Sequence, residues 1–158
     1  MVFKYNDVPL SRGFERTPTD PAVIASAKEK LLRSNGRMLV YFAHPQPLYG
    51  SEQEKADMGV IENYFDGAKV VNPGDASEFK IRDMGFYLDI VQSCNALVYT
   101  RLKGEILGGV GLEVEFAIQS GKKVYELDDG RLTRIRDVPH YLDHDETVAL
   151  LREVGFRK

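Results

Sequence analysis

The feature that most constrains this chain is a series of short apolar segments of strand length, separated by segments with helical periodicity. "MLVYFA" (38–43), "AKVV" (68–71), "NALVYT" (95–100) and "KKVYEL" (122–127) are mostly apolar rather than alternating. That is the composition of strands buried on both faces, which is typical of a parallel sheet covered by helices on both sides. The intervening segments supply the helices. "DPAVIASAKEKLLRSNG" (20–36) offers Asp20 as a cap, Pro21 for the first helical position and Gly36 as a stop. "SEQEKADMGVIENYF" (51–65) places Ser51 and Glu54 at capping-box spacing, with Ala56, Val60, Ile61, Tyr64 and Phe65 on one apolar face. "KIRDMGFYLDIVQSC" (80–94) has Ile81, Phe86, Ile90 and Val91 as core candidates. A fourth helix is expected from about Leu112 to Ser120. A turn at "DDG", a short strand at "RLTRI" and a last helix in "DETVALLREVGF" complete the chain.

These elements define an α/β chain with a three-layer Rossmann- or flavodoxin-like fold and a central, mainly parallel sheet of about five strands. Residues 1–19 are polar and irregular and read as an arm; residues 20–158 read as a single domain. In such sheets ligands bind beyond the carboxyl ends of the strands. The loops expected there are "HPQPLYG" (44–50), "NPGDASEF" (72–79) and "RLKGEILGGVG" (101–111).

Composition narrows the function classes. A net charge of −3 argues against a broad electrostatic grip on nucleic acid, while leaving room for a small phosphate pocket. The single Cys94 has no partner for an internal disulfide and, beside an apolar run, reads as a buried structural thiol. No zinc-ligand spacing is present, and no apolar run approaches the ~20 residues of a membrane span. The first residues lack the layout of a signal peptide, so a cytoplasmic protein is expected.

The glycines at 108, 109 and 111 permit unusual backbone angles and close approach of a ligand, or simply a flexible connection. They form neither a dinucleotide fingerprint nor a phosphate-binding P-loop. Two glutamates follow in what reads as the first turn of the helix. On the helical wheel Glu115 falls with Gln119 on the polar arc and is expected to be solvated. Glu113 falls between Phe116 and Ala117, aimed at the mouth of the sheet. A helix N-terminus favours an ionised carboxylate by ~0.3–1 kcal/mol. Such a group is either a covalent nucleophile or a stabiliser of the helix start.

"GGVGLEVEFAIQSGKKVYEL" (108–127) resembles the signature of the nucleoside 2-deoxyribosyltransferase family, which includes the 2'-deoxynucleoside 5'-phosphate N-hydrolases. The shared pattern is carried here by Gly111, Glu113, Ala117, Gly121 and Lys122, and "VYFAHP" resembles the family's first strand. The likeness runs from about Met38 to Leu127. It implies cleavage of an N-glycosidic bond, by hydrolysis or by transfer to another base, with Glu113 attacking the anomeric carbon. It also implies that Tyr41 positions that carboxylate, that Ala43, His44, Gln46, Gly109 and Gly111 surround the substrate, that no metal or organic cofactor is needed, and that the chain forms a homo-oligomer. The partner would be a small-molecule nucleoside or nucleotide, with no nucleic acid and no membrane. The family's usual proton-donating aspartate falls on Tyr87 in this chain, and Asn95 stands where the family often has Asp. Asp83, one turn earlier on the same face, is the preferred substitute, with Asp89 as the alternative. Capping of the third helix is the competing explanation for Asp83.

Tyr49 is a further candidate for contact with a base. Arg131 and Arg134 are candidates for a 5'-phosphate, since a guanidinium fork suits phosphate. His140 and His144, beside Asp143 and Asp145, read as solvated. Two other functions fit the same pattern: a non-catalytic nucleotide sensor, and cleavage of another N-glycosidic bond such as that of a nicotinamide dinucleotide.

Overall fold

In the computed structural model, which describes residues 20–156, five strands form one sheet in the order β2-β1-β3-β4-β5. The strands are β1 (Leu39–Ala43), β2 (Lys69–Val71), β3 (Ala96–Tyr99), β4 (Lys123–Asp128) and β5 (Arg131–Ile135). The first four are parallel, with Tyr41 level with Val71 and Leu97, and Leu97 level with Val124. β5 runs antiparallel to β4. Asp129 and Gly130, both at positive φ, form the two-residue turn between them, as the "DDG" signal predicts. This is the expected α/β architecture. The proposed arm lies outside the described residues.

Helices cover both faces. α1 (Pro21–Leu32), α3 (Met84–Ser93) and α4 (Gly108–Gln119) bury one face around Leu39, Tyr41, Ala43 and Leu97. α2 (Glu52–Tyr64) covers the other, over Val40, Phe42, Val70 and Val98. α5 (His144–Glu153) packs Leu151 against Leu107 and Leu142 near the start of α4. α1 is capped by Asp20 through the Ala22 N–H at 2.8 Å, but it ends at Leu32, before the turn at Asn35 and Gly36. Cys94 is buried and free, and burial pushes its thiol up to about 12. Among the described residues no helix is long and apolar enough to cross a membrane.

Chain direction places the crevice. β1 continues through α2 to β2 on one side, and β3 continues through α4 to β4 on the other. Because such crossovers are right-handed, the two helices leave to opposite faces. The sheet therefore splits between the carboxyl ends of β1 and β3, where ligands of this architecture bind.

Two elements differ from expectation. α4 begins at Gly108, so all three glycines are helical and Glu113 is the sixth residue rather than in the first turn. Gly111 is required there by packing: a Cβ would stand 2.0 Å from the Tyr141 ring. The Gly108 N–H is satisfied at 2.9 Å by the Thr147 hydroxyl of α5. Tertiary contacts thus offset the cost of ~1 kcal/mol per glycine that would otherwise unwind this turn. The buried face of α2 is also rotated. Ala56 and Tyr64 are exposed, while Glu54, Asp57 and Ile61 face inward.

Candidate functional site

Tyr41 lies in β1 with its ring fully buried, and its hydroxyl donates a hydrogen bond to Glu113 Oε2 from α4. The Glu113 side chain is aimed into the protein, as the wheel predicts. Its charge state is the reverse of the expectation from a helix start. Burial, partly opposed by the Tyr41 hydrogen bond, pushes the Glu113 carboxyl up to about 8. Two turns into the helix, the N-terminal dipole is too distant to outweigh desolvation.

Other phenols share this environment. Tyr49, in the first loop, and Tyr87, on α3, are both shifted upward by burial and then by the Glu113 charge, Tyr87 to about 12. The Tyr41 phenol is raised for the same two reasons. Tyr87, at the position where the resemblance places an acid, donates to the Ile81 carbonyl at 2.7 Å. Asp83 is the N-cap of α3 and accepts from the Gly85 N–H at 2.9 Å, which is the competing role. Asp89 faces Lys28 of α1 at 3.6 Å. Asn95 ties the start of β1 to the sheet by accepting from the Leu39 N–H at 2.9 Å.

A second buried polar group lies on the α2 face. His44 follows β1, stacked on Phe42 with ring centroids 3.9 Å apart and tilted against Tyr49 at 4.7 Å. Its Nδ1 lies 2.9 Å from the Phe42 carbonyl and therefore donates; its Nε2 lies 2.7 Å from Glu54 Oε2. Glu54 accepts from the Gly50 N–H at 3.0 Å. Burial raises its pKa, but the hydrogen bonds from His44, Gly50 and Asn72 outweigh this and hold the carboxyl below its usual value. The capping box at the start of α2 is thus only half formed. Ser51 accepts from the Glu54 N–H at 3.1 Å, while the Glu54 side chain turns to Gly50 and His44. Asp57, one turn on, is raised by burial against a bond from Gln53.

Glu54 and Tyr49 line a cleft of about 320 Å³ with Gly50, Asn72, Gly74, Asp75 and Ser77. Tyr49 packs on Gly74, where a Cβ would stand 3.1 Å from its ring. Asn72 caps the 3-10 turn Pro73–Phe79 through the Gly74 N–H at 2.8 Å. The cleft lining does not include Glu113. Tyr49 connects the two, because it lines the cleft and its phenol is shifted by the charges of both Glu113 and Glu54.

The remaining candidates divide. Ala43 is fully buried at the end of β1, beside the split in the sheet, and Gln46 is exposed at the start of a short 3-10 turn. Gly109 is half-buried in the first turn of α4, and the face of Gly111 is filled by Tyr141. Glu115, expected to be solvated, accepts from the Tyr141 hydroxyl at 2.9 Å. Arg134 lies over the Tyr125 ring, and Arg131 is exposed on β5. Asp143 is spent in the capping box of α5 with Glu146. Sequence reasoning missed Glu54 and Thr100. The Thr100 hydroxyl, at the end of β3, is buried without a hydrogen-bond partner among the described residues. Nothing in its local sequence marks it.

Comparison with protein-family models, curated proteins and solved structures returns no match.

Proposed function

We propose that the protein cleaves the N-glycosidic bond of a deoxynucleoside or deoxynucleoside 5'-monophosphate, by hydrolysis or by transfer to another base. The observation that carries this reading is the buried Glu113 carboxyl held by the Tyr41 hydroxyl beside the split in the sheet. Displacement at an anomeric carbon with oxocarbenium character uses one carboxylate to attack and a second acid to protonate the leaving group. In this reading Glu113, once ionised, attacks C1' and holds the sugar as an ester. The Tyr41 hydrogen bond fixes the attacking oxygen and favours its ionised form. Water, or a second base, then releases the sugar. Protonation of the departing base falls in this reading to Asp83, the substitute preferred on helix spacing because the family's position is Tyr87 here. A homo-oligomer belongs to the same proposal and rests on the resemblance alone.

Incubation with a panel of deoxynucleosides and their 5'-monophosphates tests the proposal. Release of free base by the wild type, abolished in Glu113→Ala, is the expected result. The sensor reading is favoured by one feature: burial keeps Glu113 protonated below about pH 8. Nucleotide binding without base release, in wild type and variant alike, decides for it.

A further inference from the structure

We propose that the buried His44–Glu54 pair is the proton source for the departing base, with Glu54 the catalytic acid that meets the base in the cleft and His44 the residue that resupplies it. This inference rests on the N-glycosidic reading and goes beyond it by giving protonation of the base to a pair in which the resemblance gives His44 only a place beside the substrate and Glu54 none.

Four observations converge. Asp83 is committed to the cap of α3. Glu54 lines the cleft and its carboxylate is held by His44 and Gly50, which leaves acceptor positions for a group in the cleft. The His44 ring is sealed between Phe42 and Tyr49, with Nδ1 fixed as donor to a carbonyl. A single proton therefore lies between Nε2 and Glu54 Oε2, able to pass from ring to carboxyl. Finally, the two carboxyl groups enter from opposite faces of the sheet, Glu113 on α4 and Glu54 on α2, on either side of the split. Tyr41 and His44 are three residues apart at the end of one strand. At ~3.3 Å per residue their Cα atoms are roughly 10 Å apart, about the length of a nucleoside. A sugar over Tyr41 and Glu113 thus places its base toward Tyr49 and Glu54.

The step balances. A Glu113 carboxylate oxygen bonds to C1' as the bond from C1' to the base nitrogen breaks. The electron pair goes to the base. The one proton shared by the pair passes from His44 Nε2 to Glu54 and from its carboxyl to a ring nitrogen of the base, leaving neutral His44 and ionised Glu54. In hydrolysis, water adds OH to C1', frees Glu113 and returns a proton to the pair. The titratable groups facing the pair are Tyr49, Asp57 and Asp75.

Glu54→Gln tests the assignment without removing the local bonds. The Gln carbonyl accepts from Gly50, and its amide donates to Nε2 of neutral His44. Two probes are compared: the four common 2'-deoxynucleosides, whose bases need a proton to leave, and 4-nitrophenyl 2-deoxyriboside, whose phenolate does not. The expected result is a loss on the order of 10²-fold or more in base release, with nitrophenolate release within ~3-fold of wild type. The wild type alone gives a second readout: kcat/KM for nucleosides falls as rising pH removes the proton shared by His44 and Glu54, and the nitrophenyl profile lacks that fall. Equal loss on both probes, or no loss on either, overturns the assignment while the N-glycosidic reading stands. A wild type inert on both probes and on the 5'-monophosphates of the four deoxynucleosides overturns that reading and this inference with it.

Discussion

Replacing Glu113 by glutamine removes a carboxyl whose folded-state pKa is raised to about 8, and the consequence is a change in how stability depends on pH. In the unfolded chain the group titrates near its ordinary value of 4.5. Between these two values the folded protein holds a proton that the unfolded chain has lost. Stability therefore falls as pH rises, by about 1.4 kcal/mol per pH unit. The stabilisation from this group is fully present below about 4.5 and is exhausted above about 8. Across the window it is on the order of 5 kcal/mol. Glutamine has nothing to titrate. Urea unfolding of wild type and Glu113→Gln at pH 5, 6, 7 and 8 isolates the group, because other titrations cancel in the difference. The wild type is expected to lose stability relative to the variant at each step. A difference that stays flat across the four pH values refutes the claim that desolvation governs this carboxyl.

Four further outcomes follow from the same contacts. Tyr41→Phe removes the bond that lowers the Glu113 pKa, so the pH window of that stability loss should extend above pH 8, measured by the same unfolding series. If Glu113 is the nucleophile, kcat/KM for base release should rise with pH along a limb with an apparent pKa near 8. Gly111→Ala forces a methyl into the Tyr141 ring and should cost ~1–3 kcal/mol or more by thermal unfolding, with Tyr141→Ala largely relieving it. Asp83→Ala should cost ~1 kcal/mol through the lost cap of α3, and Asp83→Asn should restore most of that stability.

The strands were legible because burial on both faces leaves an unbroken apolar run, and both 38–43 and 95–100 carry one. The Asp129-Gly130 turn was legible because two successive positive φ values favour such residues. Asp20 was legible as a cap because its partner is two residues away. The start of α4 was not. Glycines read as a loop, and the contacts that hold them helical, Tyr141 and Thr147, come from more than 25 residues further on. Glu54 was hidden for the opposite reason: the Ser51–Glu54 spacing satisfies a local rule, which masked the long-range partner His44. The inward aim of Glu113 could be read from the wheel, but its raised pKa could not, because desolvation is a property of everything packed around it.

In the proposed reaction the Glu113 carboxyl takes a sugar from its base. That step is tested most directly by mixing the protein with a deoxynucleoside that it cleaves, quenching in denaturant within one turnover, and measuring the mass of the peptide that contains residue 113. A mass gain of one deoxyribosyl group on Glu113, absent in Glu113→Gln, is the predicted result. Base release that proceeds at the wild-type rate in Glu113→Gln, with no adduct on the wild-type peptide, contradicts the account.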